Sequence, residues 1–332
     1  MTTRPLLALW ILLAGALLSA CATTAPMQQH GRPAFEGRTV VITGASSGFG
    51  RGVAVAMAAR GANVVLAARR TELLEEVAAE ARAAGGQALV VTTDVSRPAD
   101  MARLATAAET TFGRVDVWIN NAGVGALGRF DETPIADHER IVDVNLKGVI
   151  YGSHVALRRF RRQGSGVLIN MGSVVSQVPM PYYASYVATK HAVLGLDAAL
   201  NQELRANGER GVRVVTIMPW AADTPWFDHA ANYTGRRPVK IVPDGPEVIV
   251  NAVLHAALHP RDRVAPGLKA KSALVSHRLS PGLTDAFAGS VVHRAQTAAP
   301  PTNAPPTSGS VQQPQPNGRG VRGDDPRYGV TR

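Results

Sequence analysis

Tyr186 and Lys190 stand one helical turn apart in Tyr186-Val187-Ala188-Thr189-Lys190, a spacing that puts both side chains on one face of a helix. A phenol with a pKa of about 10 exchanges protons poorly near neutral pH unless its anion is stabilised. An ammonium about 4 Å away, at an effective dielectric of about 20, contributes about 4 kcal/mol, or about three pKa units. The pair therefore predicts a phenol brought close to working pH for acid–base chemistry. Ser173, in Asn170-Met171-Gly172-Ser173, ends an apolar run upstream, where its hydroxyl can hydrogen-bond a substrate oxygen and polarise a carbonyl. The tyrosine–lysine spacing by itself is common, so its weight depends on what accompanies it.

What accompanies it is a loop suited to phosphate. Thr43-Gly44-Ala45-Ser46-Ser47-Gly48-Phe49-Gly50 follows an apolar run and opens a helical pattern. Glycines are needed there for a tight turn, for close backbone approach to a pyrophosphate and for helix-on-strand packing. The helix start adds unpaired N–H groups and partial positive charge.

These residues need a scaffold, and the hydrophobic pattern supplies one. Apolar, β-branched runs at Thr39 to Thr43, Asn63 to Ala67, Ala88 to Thr92, Val115 to Asn120, Gly166 to Met171 and Val212 to Met218 alternate with helical periodicity near 49–60, 71–84, 97–112, 137–162 and 184–208. Buried parallel strands joined by crossover helices read this way. Right-handed crossovers give a doubly wound α/β sheet with its ligand crevice at the carboxyl ends of the strands. A helix near 245–258 and a short run at Arg263 to Ala265 predict a seventh, edge strand. The predicted body spans 37–266, followed by a helical extension over 267–297 with a break at Pro281-Gly282. Residues 298–332 are rich in Pro, Gly, Ser, Thr and Gln and predict a disordered tail.

Composition narrows the remaining classes. The chain of 332 residues is 45% hydrophobic, ample for a buried core. Its net charge of +10 is spread over scattered arginines without a nucleic-acid motif, so the expectation is a solvated basic surface and no nucleic-acid partner. The cluster Arg158, Arg159, Arg161 and Arg162 falls at a predicted helix end, where positive charge suits the helix dipole. Cys21 is the only cysteine, which excludes an intramolecular disulfide. It closes an apolar stretch that begins after Arg4 and ends Leu18-Ser19-Ala20-Cys21, which resembles a bacterial lipobox. That resemblance implies a signal segment over 1–21, lipid on the Cys21 thiol, a linker over 22–36 and a membrane-anchored body facing the periplasm or cell exterior. An inverted anchor, or a start at Met27, would instead leave the body in the cytoplasm. His255 and His259 have metal-compatible spacing but no evident third ligand, so no metal is expected. Ser173 lacks a Gly-x-Ser-x-Gly elbow, which disfavours a serine hydrolase, and the sequon at Asn232 is treated as incidental.

The glycine spacing, Asn120-Asn121-Ala122-Gly123 and Tyr186-x-x-x-Lys190, occurring together over about Gly37 to Pro266, resemble the short-chain dehydrogenase/reductase family. The resemblance implies a Rossmann-type fold, an NAD(P)-dependent oxidoreductase and a catalytic set of Ser173, Tyr186, Lys190 and Asn145, the last holding a water in a proton relay. It implies cofactor contacts from Gly44, Ser46, Ser47, Gly48, Phe49 and Gly50, from Asp94 and Val95 near the adenine, and from Asn121, Ala122 and Gly123. Tyr186, Lys190, Pro219 and Thr224 then serve the nicotinamide side. Trp220 stands where the family usually has glycine, which implies an altered pocket wall. The second strand ends Ala67-Ala68-Arg69-Arg70, with no carboxylate at the position that meets the ribose 2′-hydroxyl in NAD enzymes. Arg69 and Arg70 there favour NADP over NAD. Segments Val124 to Phe130, Val174 to Tyr183 and Ala222 to Tyr233 are rich in apolar and aromatic residues and predict a hydrophobic alcohol or carbonyl substrate. Assembly as a homodimer or homotetramer through 97–112 and 137–208 is a further implication of the resemblance. Two rivals remain: a non-catalytic NADP-binding sensor or scaffold on the same fold, and an epimerase or dehydratase of the extended family, which usually differs in glycine spacing.

Overall fold

The computed structural model describes residues 34–301 and 305–323. Seven parallel strands form the central sheet in the order β3-β2-β1-β4-β6-β7-β9. They are β1 (Thr39–Thr43), β2 (Asn63–Ala68), β3 (Gln87–Thr92), β4 (Val117–Asn120), β6 (Gly166–Met171), β7 (Val212–Ile217) and β9 (Arg263–Val264). A separate parallel pair joins β5 (Ala126–Leu127) to β8 (Ala231–Asn232). The fold is a Rossmann-type doubly wound sheet, and the strand order reverses between β1 and β4, where the ligand crevice opens.

Alternation within β1 shows why its run is apolar throughout. Val40 and Ile42 belong to one core cluster with Val53, Met57, Leu74 and Ile249, whereas Val41 belongs to the opposite one with Leu104, Trp118, Phe160 and Leu168. A strand covered on both faces has no solvent side to leave polar. The first face carries α1 (Gly48–Ala58), α2 (Thr71–Ala83) and α8 (Pro246–Leu258). The second carries α3 (Pro98–Phe112), α5 (Gly148–Gln163) and α6 (Ala184–Ala206).

The predicted helix over 137–162 is interrupted. It divides into α4 (Ile135–Val142), a five-residue π turn at Asp143–Lys147 and α5. Such turns concentrate at functional positions, and this one contains Asn145. A one-turn helix, α7 (Trp226–His229), precedes β8. The extension forms α9 (Gly267–Leu279) and α10 (Pro281–Ala298), broken at Ser280, next to the expected Pro281.

The predicted linker and tail both need correction. Phe35, placed in the linker by the sequence, is fully buried, and its N–H donates to Arg60 O at 3.0 Å, so the body includes Ala34–Glu36. Residues 305–323, expected to be disordered, lie in turns against the body with Val311 fully buried. The disorder expectation counted large apolar side chains, whereas this segment is held chiefly through main-chain carbonyls. The predicted signal segment with Cys21, and the linker up to 33, lie outside the described residues. Among the described residues no helix is long and apolar enough to cross a membrane.

Candidate active site

The glycine loop is built by mutual satisfaction of its own polar groups. Thr43 Oγ1, at the end of β1, accepts from the N–H of Asn121 at 3.0 Å and of Ala122 at 3.2 Å. Asn121 Nδ2 returns bonds to Thr43 O and Gly44 O at 3.0 and 3.2 Å. Gly44 needs its positive φ of 68°, and a Cβ there would stand 2.8 Å from Ala122 Cα. Gly50 does a different job from its neighbours. A Cβ would collide with Gly44 O, so this glycine packs α1 onto the turn and does not line the cavity. Gly48 opens towards Thr224, whose Cβ is 3.7 Å from where a Gly48 Cβ would sit.

Around that loop lies a cavity of about 730 Å³. Gly44, Ser46, Ser47, Gly48, Phe49, Arg69, Arg70, Asp94 and Val95 line it. Asn121, Ala122, Gly123, Pro219 and Thr224 line it too, as do Ser173, Tyr186 and Lys190. The predicted cofactor positions other than Gly50 thus line one cavity. Burial favours raising the Asp94 carboxyl, but Arg140, 2.6 Å away, and the Ser96 donors outweigh it and hold the acid below its ordinary range. Arg140 carried no sequence signal, since it meets Asp94 from α4.

Ser173 caps a short 3-10 turn, Val174–Ser176, where its Oγ accepts from Val175 N at 3.3 Å while Ser176 Oγ accepts from Ser173 N at 3.2 Å. The capping contact fixes the hydroxyl at the carboxyl end of β6, facing the first turn of α6. Tyr186 leaves that turn with its ring 5.1 Å from the Trp226 ring. Lys190, one turn on, donates from Nζ to Met171 O at 2.6 Å and stands 5.5 Å from the Tyr186 ring centroid. Asn145 spends its amide on the backbone of Val124: Oδ1 accepts from Val124 N at 2.9 Å and Nδ2 donates to Val124 O at 2.8 Å. It is fully buried and does not line the cavity. Its Oδ1 and Lys190 Nζ flank Gly123, at 3.5 and 3.9 Å from the position of a Cβ there.

The electrostatics differ from the sequence expectation. Burial pushes the Tyr186 phenol up to about 12, with the Ser173 hydroxyl working the other way. Burial also pushes Lys190 down to about 8. The expected lowering of the tyrosine assumed a nearby ammonium in a partly aqueous setting. In this protein desolvation of both groups dominates, because each is enclosed and the ammonium is directed at a carbonyl.

The substrate end is more apolar and more enclosed than the predicted segments alone make it. Val174, Val175, Val178, Met180, Tyr183, Trp226, Phe227 and Ala230 line it as anticipated. Phe130 does not, being 63% exposed and packed on the His138 ring at 4.6 Å. Trp220, in the usual glycine position, donates from Nε1 to Ile241 O and Val242 O, both at 3.2 Å, and so fastens a wall loop that periodicity could not reveal. Ala273, Thr284, Phe287 and Val291 from α9 and α10 also line the cavity. Beside Thr224, Asp223 and Lys240 form a buried pair at 2.9 Å, which the sequence reading missed.

Comparison with known proteins places these features in a family. The family profile described as short chain dehydrogenase matches residues 38–233. An uncharacterized oxidoreductase of Bacillus subtilis, YxnA, is 35% identical over 271 residues, which is 80% of this chain and 75% of that protein. A 3beta-hydroxysteroid dehydrogenase 1 of Eggerthella lenta is 40% identical over 193 residues, 58% of this chain and 73% of its own. The crystal structure of a short chain dehydrogenase/reductase from Burkholderia phymatum in complex with NAD superposes with a TM-score of 0.67 at 29% identity. That match covers 75% of this chain and 95% of the other.

Proposed function

Because the chain belongs to the short chain dehydrogenase family of oxidoreductases, we propose that it uses NADP(H) to interconvert a hydrophobic alcohol and its carbonyl through Ser173, Tyr186, Lys190 and Asn145. The observation that carries the reading is the shared cavity: the tyrosine, lysine and serine line the same enclosed space as the glycine loop. The residues present fit a dinucleotide. A helix start, Ser46 and Ser47 offer donors for the diphosphate, Arg69 and Arg70 supply cations, and Asp94 with Val95 bounds the adenine end. No carboxylate stands at Ala68, the last residue of β2, which supports NADP over NAD.

When bound, the dinucleotide supplies or accepts a hydride at its nicotinamide. In the reducing direction Tyr186 would give its phenolic proton to the substrate's carbonyl oxygen, leaving a tyrosinate. Ser173 donates a hydrogen bond to that oxygen as negative charge builds on it. Lys190 holds positive charge beside the tyrosinate left behind. Asn145 holds the backbone of Val124, which lines the cavity. The apolar lining by Val174, Met180, Trp226 and Phe287 supports a hydrophobic substrate, in line with the steroid named for the Eggerthella lenta relative.

The test is reduction of hydrophobic aldehydes, ketones and steroids by the full chain with NADPH. Tyr186→Phe is expected to lower the rate by about 10³-fold, within the range for a lost general acid, while fluorescence titration shows unchanged NADPH affinity. A Tyr186→Phe rate equal to the wild type would exclude the proposed chemistry. A wild-type protein that binds NADPH but reduces nothing would favour the sensor reading.

A further inference from the structure

The C-terminal segment makes its contacts on the residues assigned to the cofactor. Arg69 donates to Ser310 O at 2.6 Å and to Gln312 O at 3.2 Å. Arg70 Nη1 donates to Gln315 O and Asn317 O at 2.9 and 3.1 Å, while its Nη2 reaches Ser46 Oγ and Ser47 Oγ at 3.0 and 2.8 Å. One guanidinium thus joins the segment to the glycine loop. The Gly48 N–H, at the start of α1, donates to Gly320 O at 2.9 Å. Val311 anchors the segment in the core, and Gly309 and Gly318 turn it with φ of 50° and 64°.

A segment that simply plugged the cleft would leave no room beneath it. Here about 730 Å³ stays open with the segment seated, and Ser310, Pro314 and Gln315 form part of the cavity surface. The bound carbonyls are neutral, so both guanidinium groups keep their charge, and each has five N–H donors to share. The geometry is that of a wall with its clasps on the cofactor's own ligands.

We propose that residues 307–323 are a strap closing the adenosine half of the dinucleotide site, clasped by Arg69 and Arg70, which slows release of the bound cofactor. The inference rests on the oxidoreductase reading above. A strap held this way must lift before a dinucleotide can leave, so it acts on NADH and NADPH alike, independently of any 2′-phosphate contact.

Hydrogen exchange and stopped-flow fluorescence on the full chain test it. Adding NADPH to the wild type is expected to slow amide exchange across 307–323. Gly318→Val places a side chain against His229 and Pro225 at a positive φ, a local change expected to detach the strap and speed release of both NADH and NADPH by about tenfold. Arg70→Ala is expected to speed release of NADH about as much as Gly318→Val does, and release of NADPH by more, since a cation for the 2′-phosphate goes with it. Faster strap exchange on adding NADPH, or tighter binding by Gly318→Val, would make the segment a competitor and overturn the proposal. Unchanged release in Gly318→Val with exchange showing the strap detached would also overturn it, as would an Arg70→Ala effect confined to NADPH. Failure of the wild type to bind either dinucleotide would instead remove the oxidoreductase reading itself, and the strap with it.

Discussion

Tyr186 shows how far a side chain's chemistry depends on its enclosure. With burial holding the phenol near 12 and Lys190 near 8, the unliganded protein is expected to keep Tyr186 protonated throughout the neutral range. The absorbance titration at about 295 nm, taken as wild type minus Tyr186→Phe, should show no phenolate below about pH 11. A difference spectrum titrating near neutrality would refute the dominance of desolvation. Alcohol oxidation needs the phenolate, so its rate is expected to climb with pH, whereas carbonyl reduction needs the phenol and should not require alkali. The identities and spacing of Ser173, Tyr186 and Lys190 were legible because one helical turn and one strand end fix their placement. Their proton affinities were not, because no spacing rule states how much water remains around a pair.

Elements place those groups, and two buried polar contacts do much of the placing. Asn145 satisfies both backbone groups of Val124 from within the π turn. Asn145→Ala leaves a buried N–H and C=O unpaired and is expected to cost about 2–4 kcal/mol in urea unfolding; a loss below about 0.5 kcal/mol would mean the turn holds itself. Asp197, on α6, accepts from Thr216 Oγ1 of β7 at 2.6 Å and from Asn170 Nδ2 of β6. Burial raises its carboxyl to about 7, and the two hydrogen bonds only partly oppose this. A folded-state value above the unfolded one, about 3.9, means the native protein binds more protons between the two. Stability from this group is therefore full at low pH and falls as pH rises from about 4 to about 7. Asp197→Asn should flatten that slope in unfolding measured across the same window. The strands of the seven-stranded sheet were readable to within a residue or two, since apolar runs mark β1, β2 and β6, whereas the two-residue pair β5 and β8 left no such run. The π turn was not, because 3.6-residue periodicity looks the same on either side of one extra residue.

At the scale of the whole molecule, composition misled at the carboxyl end. Few large apolar residues follow 298, yet Val311 suffices as a plug into the core when arginines of the body take up the carbonyls. Val311→Asp is expected to unseat the segment and to shrink the thermal stabilisation given by saturating NADPH; tenfold weaker binding corresponds to about 1.4 kcal/mol of lost stabilisation. An undiminished shift in melting temperature would separate the segment from the cofactor. The amino end poses its own question, since Leu18-Ser19-Ala20-Cys21 leads us to expect a lipid on Cys21. Intact-mass spectrometry of the membrane fraction should find a chain beginning at an acylated cysteine; a mass retaining residues 1–20 would count against it.

The strap's dependence on main-chain oxygens has an evolutionary corollary. Apart from Val311, side chains along it can drift at little cost, while the turns at Gly309 and Gly318 and the close approach at Gly323, where a Cβ would meet Lys240 Nζ at 2.6 Å, tolerate almost nothing larger. Kin that share this closure should be found by the interval between such glycines downstream of the last helix, and measures of residue similarity will pass over them.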